Sequence, residues 1–371
     1  MPSHKRAHET AEDEPAAGDA EDRPPSGIVS ELPTKEKLAR LGQLVSGRRR
    51  ALILTHDNPD PDSLAAALAL AHLLEHRANL PCRIAYGGIV GRAENTAMIR
   101  VLHLPVLPAT RVDFSQEDVL ALVDTQPQAK NHSLPAGLTP DIVIDHHPAR
   151  DGIEQVPFAD VGHSGATCSI LVEYLRAARM ALSTEVATAL FYGIKADTRD
   201  LGRQTFQVDI DSYLYLLPRV DKDALAQIEH PALPARYFRL YNLAIEKARV
   251  HQNAVEVDLG EIYSPDMVAE VAERMLSLEG MKWSLAYGSY QGQLFLSIRT
   301  RDRRMNAGRL IREICEDLGG SSGGHGSMAG ARLPLHGTRD QRRRLKRSLV
   351  SRFLSEFGVH DRKGQKLLAL G

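Results

Sequence analysis

Four times in its first 200 residues this sequence runs from an apolar segment straight into aspartate or histidine. The stretch 51–55 leads into His56, with Asp60 and Asp62 close behind, and 119–123 leads into Asp124. The run 142–144 leads into Asp145-His146-His147, and the apolar stretch 184–194 leads into Asp197-Thr198. Apolar runs of four or five residues predict strands buried on both faces, as parallel sheets require. Strands at 51–55, 83–86, 119–123 and 142–144 interleave with helical patterns at 35–45, 63–76, 164–179 and 184–194. That alternation predicts an α/β fold with a doubly wound, mainly parallel sheet. In such sheets the ligand crevice lies at the carboxyl ends of the strands, where these acids and histidines fall.

Residues 1–30 form an acidic segment rich in Glu, Asp, Pro and Ala, without hydrophobic period, and read as a disordered tail. A first domain is expected over 31–217. Pro218, Pro231 and Pro234 crowd the span 218–236, which reads as a linker. Beyond it, helical patterns at 237–250, 265–278, 306–318 and 339–357 mix with strands at 254–259, 283–290 and 293–300. They predict a second, smaller α/β domain over 237–371, in which the glycine-rich stretch 319–330 reads as a loop. The 371 residues suit two domains of ordinary globular composition.

Charge and composition narrow the partners. A formal net charge of −1 supplies no global basic field for long duplex nucleic acid, so small or end-bound substrates are expected. Aromatics make up 5% of the chain and Trp283 is its single tryptophan, which argues against a long single-strand groove built on stacking. No apolar run approaches the ~18 residues of a membrane span, and no signal-peptide core is seen. Cys82, Cys168 and Cys315 are scattered, giving neither a disulfide framework nor a thiolate zinc site. A reduced cytoplasm is the expected compartment.

The loop His56-Asp57-Asn58-Pro59-Asp60-Pro61-Asp62-Ser63 holds three potential ligands, stiffened by two prolines. Alone, it reads equally as a polar turn in which Asp62 caps the next helix. Convergence of the other acid-bearing ends changes the balance. Clustered carboxylates raise one another's pKa unless compensated. The four negative charges of Asp60, Asp62, Asp124 and Asp197 would be balanced by two divalent cations. Oxygen and imidazole ligands without thiolate suit manganese, magnesium or a similar metal, though the residues do not rank zinc against these.

In this order, His56-x-x-x-Asp60-x-Asp62, Asp124, Asp145-His146-His147 and Asp197-Thr198 resemble the motifs of the DHH phosphoesterases. The later Gly323-Gly324-His325-Gly326 resembles the glycine-histidine loop of the accessory domain called DHHA1. The resemblance covers about residue 35 to the C-terminus. It implies that His56, Asp60 and Asp124 hold one metal, and that Asp62, Asp124, His146 and Asp197 hold the other. It also implies that Asp145 orients ligands or the attacking water and that His147 faces the substrate phosphate. Two divalent ions are implied, with Mn2+ expected and Mg2+ or Co2+ as alternatives. Size and layout resemble the nanoRNase branch, which hydrolyses very short RNAs and 3′-phosphoadenosine 5′-phosphate by attack of a water held between the metals. Cyclic-di-AMP (or pApA) hydrolysis, or nucleotide sensing without hydrolysis, are the alternatives. A homodimer is implied too. The first motif departs from the family's Pro-Asp-Gly-Asp form, and the loop 87–95 maps to no known element.

On the substrate side, the resemblance places a phosphate-binding arginine at Arg299. Gly323, Gly324 and His325 would bring backbone N–H groups and an imidazole to a nucleotide. Arg203 follows Asp197 closely enough to reach a phosphate, and Arg92 and Asn95 are open candidates. The run Arg342-Arg343-Arg344-Leu345-Lys346-Arg347 reads as a solvated helix face.

Overall fold

The computed structural model describes residues 27–302, 304–359 and 363–369. Most of the segment read as a tail, 1–26, and the side chain of His325 lie outside the described residues. The first unit comprises α1 (Thr34–Val45), β1 (Ala51–Leu54), α2 (Pro61–Ala78), β2 (Cys82–Tyr86), α3 (Ala93–Val101), β3 (Val106–Pro108), β4 (Val119–Val123), β5 (Ile142–Asp145), β6 (Phe158–Val161), α4 (Thr167–Ala177), α5 (Thr184–Asp197), α6 (Gln207–Leu216) and α7 (Lys222–Glu229). Its six strands form an all-parallel sheet in the order β3-β2-β1-β4-β5-β6.

Side-chain alternation divides the sheet's two faces. Ile53, Ala121, Val123, Ile142 and Ile144 pack against α1, α2, α4 and α5. Leu52, Leu54, Leu120, Leu122 and Val143 point the other way, onto Ala109, Ile153 and Val156 from connecting segments. The strand order reverses between β1 and β4, opening a crevice beyond their carboxyl ends. His56 and Asp124 stand there. The span 218–236 is not a bare connector: it carries α7, whose Ala224 and Ile228 are buried in the first core. Pro218 and Pro231 flank this eight-residue helix, which the proline pattern concealed.

The second unit runs α8 (Ala235–Lys247), β7 (Arg249–His251), β8 (Ala254–Glu261), α9 (Asp266–Leu276), β9 (Trp283–Tyr290), β10 (Gln293–Thr300), α10 (Ala307–Cys315), β11 (Ser321–His325), β12 (Met328–Pro334), α11 (Arg339–Ser355) and β13 (Gln365–Lys366). Its sheet, ordered β11-β12-β10-β9-β8-β7-β13, is antiparallel except for the β8–β9 pair, which α9 connects. One apolar cluster joins β9 and β10 to α10 and α11, and another joins β8 to α8 and α9. The glycine-rich stretch read as a loop is a hairpin: Gly323 pairs with Gly330 and Gly324 with Ala329 across the β11–β12 ladder. Gly324 has φ +140°, and a Cβ there would lie 2.4 Å from the Met328 carbonyl oxygen, so only glycine lets these strands meet. Among the described residues, no helix is long and apolar enough to cross a membrane.

Candidate metal centre and cleft

The acids and imidazoles of the cluster come from the ends of β1, β4, β5 and α5 and the start of α2. His56 follows β1, and its Nδ1–H donates to the Asp57 carbonyl at 3.0 Å. This bond orients the ring so that Nε2 faces the acids opposite. Asp60, rather than Asp62, caps α2: its Oδ1 accepts from the Ser63 N–H at 2.9 Å, and Ser63 Oγ accepts from the Asp60 N–H at 3.1 Å. Asp62 is 1% exposed and serves another helix. Its Oδ2 and Oδ1 accept from the backbone N–H groups of Thr167 and Cys168, at 2.7 and 2.9 Å, at the start of α4. No side chain of α4's own cap residue does this, so Asp62 satisfies donors that the helix leaves open.

Asp124 ends β4 in the left-handed region, with φ +57°, a strained conformation for a residue with a side chain. Its Oδ2 lies 3.5 Å from His56 Nε2, and its Oδ1 lies 3.5 Å from His146 Nε2. Asp60 Oδ1 is 3.6 Å from the same nitrogen of His56, and Asp197 Oδ2 is 3.4 Å from that of His146. These separations are long for hydrogen bonds. They match two donors on one ion, since bonds of about 2.0–2.2 Å place neighbouring ligands about 3–3.6 Å apart. Three donor groups result, each with its atoms within 4.8 Å of one another: His56, Asp60 and Asp124; Asp62, His146 and Asp197; Asp124, Asp145, His146 and His147.

The electrostatics agree with a site built for cations. Burial, then the neighbouring Asp124, pushes Asp62 up to about 7. Burial does the same to Asp197, also to about 7, against the pull of His146. Asp124 is likewise raised by burial. Buried acids held this far towards neutrality lack compensating positive charge, which a divalent ion supplies. The donor set of carboxylate oxygens and imidazole nitrogens suits hard or borderline divalent cations.

Asp145 is 1% exposed and is held down by His147 despite its burial. Its Oδ1 accepts from His147 Nδ1 at 2.7 Å and its Oδ2 from Gln126 Nε2 at 2.8 Å. Burial opposes charge on His147, but Asp145, Asp124 and Asp197 outweigh it and hold the imidazole at about 9. Sequence reading missed Gln126 and Thr167. Thr167 Oγ1 donates to Asp124 Oδ1 at 2.9 Å and accepts from the His146 N–H at 3.2 Å. Neither residue sits at a strand end, and only the tertiary fold reveals them.

A cavity of about 190 Å³ lies over the cluster, lined by His56, Asp60, Asp124, His146, His147, Asp197 and Arg203. Asp60, Asp197, Arg203 and Met328 also line a larger cleft of about 710 Å³ between the two units, which reaches Arg92, Arg199 and Glu273. Arg203 therefore lines both the cavity over the acids and the larger cleft. Arg299 is brought near but buried, 8% exposed, with Nη1 bonded to Ser297 Oγ at 2.8 Å and to the Ile298 carbonyl at 3.1 Å. It sits opposite Met328 in the sheet register. The hairpin gives Met328 to the cleft lining, not Gly323 or Gly324.

The loop 87–95 now has a role. A Cβ on Gly87 would fall 1.7 Å from Asp57 Oδ1, so glycine leaves room for the ligand loop. Ile89 N–H donates to Asn58 Oδ1 at 3.0 Å, and Asn95 Nδ2 to the Pro59 carbonyl at 2.9 Å. The loop buttresses the ligands from behind. Asn95 is thereby buried and structural, while Arg92 reaches across to the second unit.

The family model for the DHH family, N-terminal domain, matches residues 50–194, and that for the DHHA1 domain matches 249–355. The chain is 34% identical over 325 residues to the uncharacterized protein MJ1633 of Methanocaldococcus jannaschii, covering 83% of this chain and 66% of that one. It is 26% identical over 316 residues to the cyclic-di-AMP phosphodiesterase GdpP of Geobacillus thermodenitrificans, covering 79% of this chain and 46% of that one. The chain thus spans about two thirds and about half of these relatives' lengths. Its fold is similar to that of an exopolyphosphatase-related protein from Bacteroides fragilis, with a TM-score of 0.68, 16% identity, and coverage of 86% of this chain and 97% of that one. With both domain models matched in order and the motif acids and histidines gathered at one crevice, the chain belongs to the DHH/DHHA1 phosphoesterase family.

Proposed function

We propose that this protein is a two-metal phosphoesterase that hydrolyses short oligoribonucleotides or 3′-phosphoadenosine 5′-phosphate, with manganese as the working ion. The observation that carries this reading is Asp124, whose two oxygens face two different imidazoles at equal distance. That is the arrangement of a carboxylate shared between two cations, with His56 and Asp60 on one side and Asp62, His146 and Asp197 on the other. When bound, the pair of ions would supply an activated water and charge stabilisation at phosphorus.

The chain's own residues supply the remainder. Asp145 fixes the orientation of His147 through Nδ1 and favours positive charge on that imidazole, which it presents to the substrate phosphate. Arg203, lining both cavities, is a second phosphate contact. Gln126 holds Asp145 from the far side. The second domain's share of nucleotide binding is the β11–β12 hairpin, which brings Met328 to the cleft, with Arg299 opposite it in the register. The cleft suits a mononucleotide or dinucleotide better than a long polymer.

A second reading, cyclic-dinucleotide hydrolysis, is favoured by the similarity to the cyclic-di-AMP phosphodiesterase. The test is a panel of diadenylate, a five-residue RNA, 3′-phosphoadenosine 5′-phosphate, cyclic-di-AMP and pyrophosphate, with Mn2+ and with Asp124→Ala as control. Preference for the diadenylate or the bisphosphate supports the main reading. Turnover of cyclic-di-AMP alone moves the substrate and keeps the chemistry. Tight nucleotide binding with no product would replace the enzyme by a sensor.

A further inference from the structure

In the cleft between the two units, two arginines of the first domain converge on one carboxylate of the second. Arg92 Nη2 lies 3.2 Å from Glu273 Oε2, and Arg199 Nη2 lies 3.4 Å from Glu273 Oε1. Each oxygen holds one guanidinium. All three line the same cleft as Asp60, Asp62, Asp197 and Arg203. Arg92 is aimed there by the buttressing loop, at the start of α3. Arg199 is aimed there by a costly turn: Arg199, Asp200 and Leu201 all have positive φ, between 50° and 62°. Left-handed backbone is disfavoured for residues with a side chain. Three in a row directly after Asp197-Thr198 tie the position of Arg199 to that of the acid cluster.

We infer that Glu273 is a specificity-determining latch, standing in for a second, non-scissile phosphate of the substrate and yielding Arg92 and Arg199 to it. The inference rests on the phosphoesterase reading above and names its substrate class: short nucleotides with a terminal phosphate besides the one cleaved. Magnitudes favour the exchange. The three side chains are 39%, 43% and 49% exposed, and ion pairs that open to solvent contribute little. A dianionic phosphate offers the two guanidinium groups more charge and more acceptor oxygens than the single Glu273 carboxylate does. It also accepts bidentate charge-assisted hydrogen bonds of about twice the strength of neutral ones. The latch joins the two domains, so its exchange for phosphate keeps the cleft bridged while the substrate is bound. Glu94 and Glu270 also lie near Arg92, so removing the Glu273 charge does not leave that arginine uncompensated and the fold should tolerate it.

The test is calorimetric binding to the full manganese-loaded chain of two diadenylates, each with a methylenephosphonate in place of the bridging phosphate. One carries a 5′-phosphate and the other does not. Because no turnover is needed, the latch is judged separately from the hydrolysis panel, which alone judges the activity. Glu273→Gln is expected to tighten the 5′-phosphorylated ligand about threefold to tenfold while changing the other less than twofold. Arg92→Gln, with an unchanged melting temperature, is expected to weaken the phosphorylated ligand selectively. Equal changes for both ligands, weaker binding of the phosphorylated one to Glu273→Gln, or no binding of either ligand to either protein would overturn the inference.

Discussion

At the scale of single residues, the site depends on side chains that fix one another. The motif positions were legible because an acid or imidazole at the carboxyl end of a buried strand has little structural use there. Their supports were not. Gln126, Thr167 and Glu273 act across the fold, and nothing local marks them as different from any other polar residue. Asp62 shows the limit most directly: its place in a helix-start pattern suggested a cap for α2, whereas it caps α4 some hundred residues on, and Asp60 takes the nearer task. Asp145 provides the residue-scale prediction. Asp145→Asn should keep metal binding but lose the hold on His147, as changes just outside a metal's own ligands cost about 10–100-fold. The check is kcat beside metal content. Full activity, or loss of metal in step with activity, would go against an orienting role.

Among elements, the apolar periodicity recovered β1, β2, β4 and β5 of the first sheet with α1, α2, α4 and α5, but not its short edge strands β3 and β6, nor α3 and α6. It failed where composition and geometry part. Glycines in 319–330 suggested a loop, but small residues let β11 and β12 approach, and the ladder hydrogen bonds outweigh glycine's conformational freedom. Prolines in 218–236 suggested a linker but only flank α7. Helix packing beneath the site is tight. A Cβ on Gly193 of α5 would meet Cys168 Sγ at 2.6 Å and Asp62 Cα at 3.2 Å. Gly193→Val is therefore expected to push α5 from α2 and α4 and to cost about 1–3 kcal/mol, the usual penalty of overpacking a core. Chemical denaturation measures it directly, and metal affinity should fall with it, because Asp62 and Asp197 lie on the two elements forced apart.

Over the whole molecule, two domains meet across a cleft: the first brings the acids and histidines together with Arg92, Arg199 and Arg203, and the second brings Glu273 and Met328. The sequence displayed both sets, but not their meeting, since that depends on how α9 faces the loop 87–95. Glu270 of α9 lies at this junction, its Oε1 accepting from Tyr237 Oη at 3.2 Å. Burial raises it from 4.5 to about 7, against the pull of Arg92. A raised acid favours the fold while neutral, so its contribution is present below pH 4.5 and is lost as pH rises to 7. Glu270→Gln should equal the parent in stability below pH 4.5 and exceed it above pH 7, by about 1–3 kcal/mol. Parallel melting curves across that range would refute the assignment. The claim on which the account rests is that Asp124 joins two ions. Equilibrium dialysis against Mn2+ tests it: two ions per chain are predicted, falling below one in Asp124→Ala. Two ions retained in the variant, or no more than one in the parent, would contradict it.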